Sequence, residues 1–419
     1  MLVTYLGHAA MMMEGGGTRI LMDPWLTDPS YHGTWWHFPP LEVGVRDLPR
    51  LDYLYISHEH PDHFDPPTLA QLDKDIHVVV PRFKKRRLYD TLARLGFRQI
   101  TELAYEEPFA CGAQGPTLRL IGPDRPWDDS AILVQHGGTT VMNVNDCHLD
   151  EATLGRLGRE HAIDLTFLTF TGASQYPACF DFPLASKIER ALYSKRSHLE
   201  EFVHWAQLLQ TRRVVPAAGN HALLADDQLF LNTPMYANTP AEAIEALRVG
   251  APEIEGLQMN PGDSWTPEGG HVRRKPAPDW SRRQELIEEL SRQTRARGAE
   301  YFASEAPAPP DLWERFRAYF EGQLTRSPEV APSIGYTVWW TVTGEHGGEW
   351  AIDFSREREW VQQGTPSDWN LHITIPDKLV WSGVSGEGVW DHIILSFRVR
   401  LARQPDRYMK EFWTWFCKL

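Results

Sequence analysis

Six consecutive residues, His58-Glu59-His60-Pro61-Asp62-His63, put four metal-ligating side chains into one short stretch. Imidazole nitrogens and carboxylates are the donors that bind transition ions. Positions i, i+2, i+4 and i+5 cannot converge from a helix, where neighbours on one face lie three or four apart. They can converge from a loop leaving a strand, and residues 51–57 (LDYLYIS) read as that strand. The spacing predicts two sites, with His58 and His60 gripping one ion and Asp62 and His63 a second, about 3.5–4 Å away.

The elements around this loop must hold it still. Asp65-Pro66-Pro67 starts a helix, since aspartate suits an N-cap and proline the first turn. Residues 76–80 read as a strand, and 83–95 as a helix stopped by Gly96. Residues 130–135 and 139–144 read as strands joined by His136-Gly137-Gly138, and Gly15-Gly16-Gly17 as an earlier hairpin turn. A strand over 163–170, a helix over 183–210 and a strand over 213–218 follow, the last running into Gly219-Asn220-His221. This alternation is an α/β layered plan.

A chain of 419 residues is too long for one ordinary core. The expected division is a dinuclear metal domain over 1–265, a proline-, glycine- and charge-bearing linker over 266–281, and an accessory domain over 282–419. Helices at 282–297 and 310–324, strands at 336–342, 349–354 and 371–375, and a terminal helix at 406–416 make the accessory domain α+β, without a metal-ligand cluster.

A net charge of −14 argues against nucleic acid as partner, and the run Lys84-Lys85-Arg86-Arg87 reads as a solvated helix face. No stretch approaches the roughly 18 apolar residues of a membrane span. The N-terminus, with no basic leader and broken by His8 and Glu14, reads as a first strand, not a signal peptide. Four scattered cysteines fit a reducing cytoplasm. Seventeen tryptophans, some paired as Trp35-Trp36 and Trp339-Trp340, mostly fill cores but suggest an aromatic pocket for an organic substrate.

HxHxDH after a buried strand resembles the signature of the metallo-β-lactamase superfamily. Gly7-His8-Ala9 and Leu21-Met22-Asp23-Pro24-Trp25 are similar to its ascorbate-phosphate-lactonase-like branch. The resemblance implies an αββα sandwich followed by a smaller C-terminal α+β domain. It implies that Asp23 supports a ligating histidine from behind, with His8 beside it. It also implies that Asp146, in Asn145-Asp146-Cys147, bridges the metals, and that His221 is the last ligand. The superfamily's third histidine is missing from residues 121–129. Asp124 is the nearest substitute by spacing and Asp128 the second, while His136 lies too near the hairpin turn. A carboxylate there moves the site from zinc toward harder ions such as iron or manganese. Of the aromatic loop 31–38, Trp35, Trp36 and His37 are expected to wall the substrate. Gln175 and Tyr176 are expected after a core strand on the ligand side.

Residues 145–147, 171–177, 217–219 and 226–232, with Pro405-Asp406-Arg407-Tyr408, resemble the β-lactamase-fold part of CMP-N-acetylneuraminate hydroxylase and its bacterial Rieske-linked relatives. The C-x-H pairs of a Rieske cluster are absent, so the expected reading is a non-haem diiron oxygenase or oxidase with an external electron donor. The alternative is a dizinc or dimanganese hydrolase of a phosphoester, lactone or amide. Tyr176 and His148 are the candidate catalytic donors, with His8 as a further acid. The second domain is expected to close one side of the cleft or to make a homodimer contact. No membrane partner is expected.

Overall fold

Glycines at two turns show how tightly the sequence writes its hairpins. Gly137 and Gly138 both take positive φ (59° and 77°), which a two-residue turn of this type requires. The strands Ala131–His136 and Thr139–Asn143 therefore pair antiparallel from His136↔Thr139 to Ile132↔Asn143. In the computed structural model, residues 1–419 are described apart from Pro126, Pro234 and Met235.

The chain divides into two compact units. The first comprises Met1–Ser30, Trp35–Ala173 and Leu192–Arg292; the second comprises Tyr31–Thr34, Ser174–Ala191 and Gln293–Leu419.

The first unit is built on an eight-stranded and a seven-stranded sheet. In the eight-stranded sheet Leu2–Gly7, Ala10–Gly15 and Thr18–Met22 run antiparallel, and Tyr53–Tyr55, His77–Pro81 and Gln99–Leu103 then continue in parallel. The seven-stranded sheet repeats the plan. Thr117–Ile121, Ala131–His136 and Thr139–Asn143 are antiparallel, followed in parallel by Leu165–Thr169 and Arg213–Ala217. Between the sheets lies one apolar layer that includes Val3, Tyr5, Met11, Leu118, Ile132, Phe167 and Val215. Outside the first sheet, Leu54, Val78 and Val80 meet Leu69, Leu88 and Leu92 of two helices. Outside the second, Leu133, Met142 and Val214 meet Leu154, Leu157, Phe202 and Leu247. Four layers in the order helix, sheet, sheet, helix make the expected αββα sandwich.

The helix Pro66–Gln71 begins as its sequence dictates, with the Asp65 carboxylate accepting from the Thr68 amide. Other expectations shift. Residues 266–281 were expected as a linker, yet Ser264–Thr266 and Gly270–Val272 form a hairpin that extends the first sheet beside Leu2–Gly7. The cationic run precedes its helix, which spans Arg87–Arg94.

The second unit is α+β, as expected of the C-terminal part. Its sheet runs Val361–Gln363, Gly348–Asp353, Thr337–Thr343, Leu371–Pro376, Arg400–Arg403. Strand alternation puts Val338, Trp340 and Val342 into the core and leaves Thr337, Trp339 and Thr341 half-buried on the opposite face. Phe316 and Phe320 of the helix Leu312–Arg326 pack there against Trp340, Trp350 and Trp390. Phe316 is fully buried, with ring centroids 4.7 Å from both Phe320 and Trp350. Phe316→Ala is expected to cost about 3–5 kcal/mol, read as a lower urea midpoint for the unfolding transition reported by the second unit's tryptophans.

Candidate metal centre

Every side chain of the cluster leaves the C-terminal end of a strand, where backbone polar groups run out of sheet partners. Four of the residues at these ends adopt left-handed backbone without being glycine. They are His8 (φ 51°), Asp23 (φ 42°), Asn145 (φ 55°) and Ala218 (φ 52°). Such conformations cost on the order of 1–3 kcal/mol each and persist only where the surroundings enforce them. At His8 the enforcement is visible: its carbonyl accepts from the Tyr5 hydroxyl (2.7 Å) and the Ala218 amide (3.0 Å). Asn220 in turn donates to the Tyr5 hydroxyl (2.9 Å).

Asp23 anchors the histidine loop. Its Oδ1 accepts from the Ser57 amide (2.7 Å), and its Oδ2 from the Ser57 hydroxyl (2.8 Å) and His63 Nδ1 (3.0 Å). A carboxylate only accepts, so His63 carries a proton on Nδ1, and Nε2 is the atom it offers to the centre. The Ser57 hydroxyl, having donated to Asp23, accepts from His58 Nδ1 (2.9 Å), and Asp129 Oδ1 lies 3.2 Å from the same nitrogen. His58 is fixed in the same tautomer. One buried carboxylate thus orients both imidazoles with Nε2 toward the cluster, the arrangement found behind metal-bound histidines.

His63 Nε2 faces carboxylate oxygens. It lies 2.8 Å from Asp146 Oδ1 and 3.6 Å from Asp62 Oδ2, is buried, and makes no directed hydrogen bond. His58 Nε2 is 3.9 Å from Asp146 Oδ2. Lone pairs so disposed repel unless a cation or a proton stands among them. Burial disfavours charge on His63, but Asp146 and Asp62 outweigh it and hold its pKa well above the ordinary value. Burial likewise tends to raise Asp62, yet His63 and His8 keep it ionised. The donor set therefore fits metal ions: His58, His63 and Asp146 offer converging atoms on one side, and His8, Asp62 and His63 on the other. His63 belongs to both groups. His60 presents its ring edge-on to His58, centroids 4.5 Å apart.

His8 Nε2 lies 2.7 Å from Asp62 Oδ2, so it touches the ligand set directly. His221 stacks on Trp35 at 3.7 Å and 3°, with its ring 5.8 Å from that of His8. Burial, and then the neighbouring His8, hold its pKa well below the ordinary value, so it is a neutral imidazole. It falls in neither converging group. The short strand Trp35–His37 pairs with His221–Leu223, setting His37 opposite His221. Trp35 and His37 share that face. Trp36 points the other way, into Phe38, Ala222, Leu224 and Ile287, so it cannot wall the centre as expected. Gly7, beside His37, takes φ 135°, a backbone conformation that residues with a Cβ rarely adopt.

The carboxylate expected to replace the missing histidine lies beside His148. Asp124 accepts from His148 Nδ1 (3.0 Å), and Arg125 meets His148 Nε2 (3.0 Å). Asp124 belongs to neither converging group, and both nitrogens of the candidate acid His148 are engaged. Asp129 approaches the centre instead, through His58; it stands two residues before Ala131, which pairs with Ile121. Gln175 and Tyr176 belong to the second unit. There the Tyr176 hydroxyl accepts from Arg190 Nη1 (2.5 Å), and the Gln175 carbonyl from the Cys179 amide (2.8 Å).

Residues 2–153 match the family described as Beta-lactamase superfamily domain. A putative Rieske 2Fe-2S iron-sulfur protein of Mycolicibacterium smegmatis is 29% identical, over 99% of this chain and 84% of that protein. A cytidine monophosphate-N-acetylneuraminic acid hydroxylase of Danio rerio is 30% identical, over 64% of this chain and 45% of that protein. The solved isothiocyanate hydrolase from Delia radicum gut bacteria is 16% identical, covering 64% of this chain and 99% of that one, at a TM-score of 0.46. Both resemblances drawn from the sequence are thereby met, the superfamily by the domain match and the hydroxylase and Rieske-linked group by these relatives.

Asp23→Asn removes the acceptor that orients His63 and Ser57. Metal affinity is expected to fall about 10–100-fold, measured by competition against a chromophoric chelator, with circular dichroism verifying the fold.

Proposed function

We propose, from a metallo-β-lactamase-fold domain in which one histidine is shared by two converging ligand sets, that this chain holds two iron ions and hydroxylates a small organic substrate with O₂. The observation that carries the reading is the position of His63 between Asp62 and Asp146. His58, His60, Asp62, His63, Asp146 and His221 are the proposed ligands, with His8 bonded to Asp62. Carboxylates near both ions and no third histidine in the 121–129 stretch favour iron or manganese over zinc. The relatives' names add a hydroxylase.

Two iron ions held by these residues would bind O₂ and pass to it the electrons of an external donor. The overall change is a substrate C–H, O₂, two electrons and two protons going to C–OH and water. The chain's own part is to hold His58 and His63 in ligand tautomers through Asp23, Ser57 and Asp129. Trp25 and Trp35, both fully buried against His8, keep water from that side. The electrons come from an external donor. All four cysteines are free, which fits the cytoplasm. No helix among the described residues is long and apolar enough to cross a membrane.

The second reading, a dizinc or dimanganese hydrolase, is favoured by the His8–Asp62 bond, which suits a carboxylate that holds a nucleophilic water. Elemental analysis of protein purified without added metal separates the two. About two irons per chain, with O₂ uptake that depends on reductant, is the expected outcome. About two zincs with no oxygen response would sink the oxygenase and favour hydrolysis. Asp146→Ala is expected to lose at least one of the two metal equivalents and to lower turnover by more than about 100-fold.

A further inference from the structure

The run Lys84-Lys85-Arg86-Arg87 breaks a local rule. Arg86 occupies the N-cap of the helix Arg87–Arg94 with no side-chain cap bond. A helix N-terminus carries roughly half a positive charge and prefers Ser, Thr, Asp or Asn. Four successive cations there oppose helix stability, and a choice against local stability calls for a use elsewhere.

Three observations indicate the use. The chain carries a net charge of −14, so this patch is opposite in sign to the rest of the molecule. Arg87 Nε donates to Glu59 Oε2 (2.6 Å), and Glu59 stands between His58 and His60, so the patch is fastened to the loop that carries the ligands. Arg86 pairs with Glu102 (2.8 Å), while the exposed Arg82, Lys84 and Lys85 have no acidic partner among the described residues.

We propose that this face docks a small acidic electron-transfer protein, which delivers electrons to the centre behind Glu59. The proposal rests on the oxygenase reading, which requires two electrons per hydroxylation. Two reduced partners each lose one electron, one oxygen atom leaves as water after taking two solvent protons, and the other enters the substrate C–H. Complementary charge speeds encounter and fixes orientation, and salt screens it.

The test is calorimetric titration of the metal-loaded protein with an acidic plant-type [2Fe–2S] ferredoxin, at low salt and at about 1 M salt, where the Debye length is ~3 Å. In Lys84→Glu/Lys85→Glu the Kd is expected to rise by roughly tenfold or more, as does the wild-type Kd in high salt. Unchanged metal content and circular dichroism show that the variant is folded. Equal affinity of variant and wild type, or binding indifferent to salt, overturns the proposal. So does a patch that binds duplex DNA through these lysines while ignoring ferredoxin. Lysine-dependent ferredoxin binding supports the docking surface even if no reductant ever drives O₂ uptake, in which case the oxygenase reading alone fails.

Discussion

The Asp23 carboxylate is the constraint on which the rest of the centre depends. It is fully buried, and Ser57 and His63 donate three hydrogen bonds to its two oxygens. Through the Ser57 hydroxyl its influence reaches a second imidazole, His58. Without it His63 would lose the carboxylate that fixes its tautomer, and His58 would keep only Asp129 as a fixed acceptor beside its Nδ1. The carboxylate is held by the fold as well, since its own amide donates to the carbonyl of Tyr55 on the adjoining parallel strand (3.0 Å).

That arrangement explains why left-handed backbone gathers at the centre. A strand that simply ended would carry its last side chains away from the sheet edge. A single residue of positive φ turns the chain back across the strand ends, so that His8, Asp23 and the aspartate after Asn145 face inward together. The local cost is offset by bonds such as those to the His8 carbonyl, and the sandwich core lies directly beneath, with Tyr5, Tyr55 and Phe167 fully buried.

Much of this was legible in the sequence where the determinants are local. His58 to His63 are consecutive, so their convergence needs only a strand and a turn; the Asp65 cap and the Gly137-Gly138 hairpin are likewise short-range. What misled were residues whose orientation depends on distant partners. Counting spacing back from Asp146 could not tell which carboxylate of the loop between Ile121 and Ala131 turns inward. Asp129 does so because Ala131 is locked in register, whereas Asp124 is taken by His148. Trp36 packs with Phe38 and Ala222, on the face opposite Trp35 and His37, as strand alternation dictates. The hairpin at 264–272 hid behind prolines and glycines because its strands are three residues long and only the first of them pairs with the N-terminal strand, far away in sequence.

The candidate ligands and their neighbours stretch from His8 to His221, across both sheets of the first unit. An ion held by such residues is a cross-link closing loops of very different length. Loop-closure entropy grows only with the logarithm of length, so tying His63 to Asp146 restricts the unfolded chain nearly as much as a far longer loop would. Binding of an ion by residues that converge only in the folded chain would thermodynamically link metal and fold. An ion bound at these strand ends would therefore act on the whole sandwich, because any ligand that binds only the folded chain raises its stability by mass action.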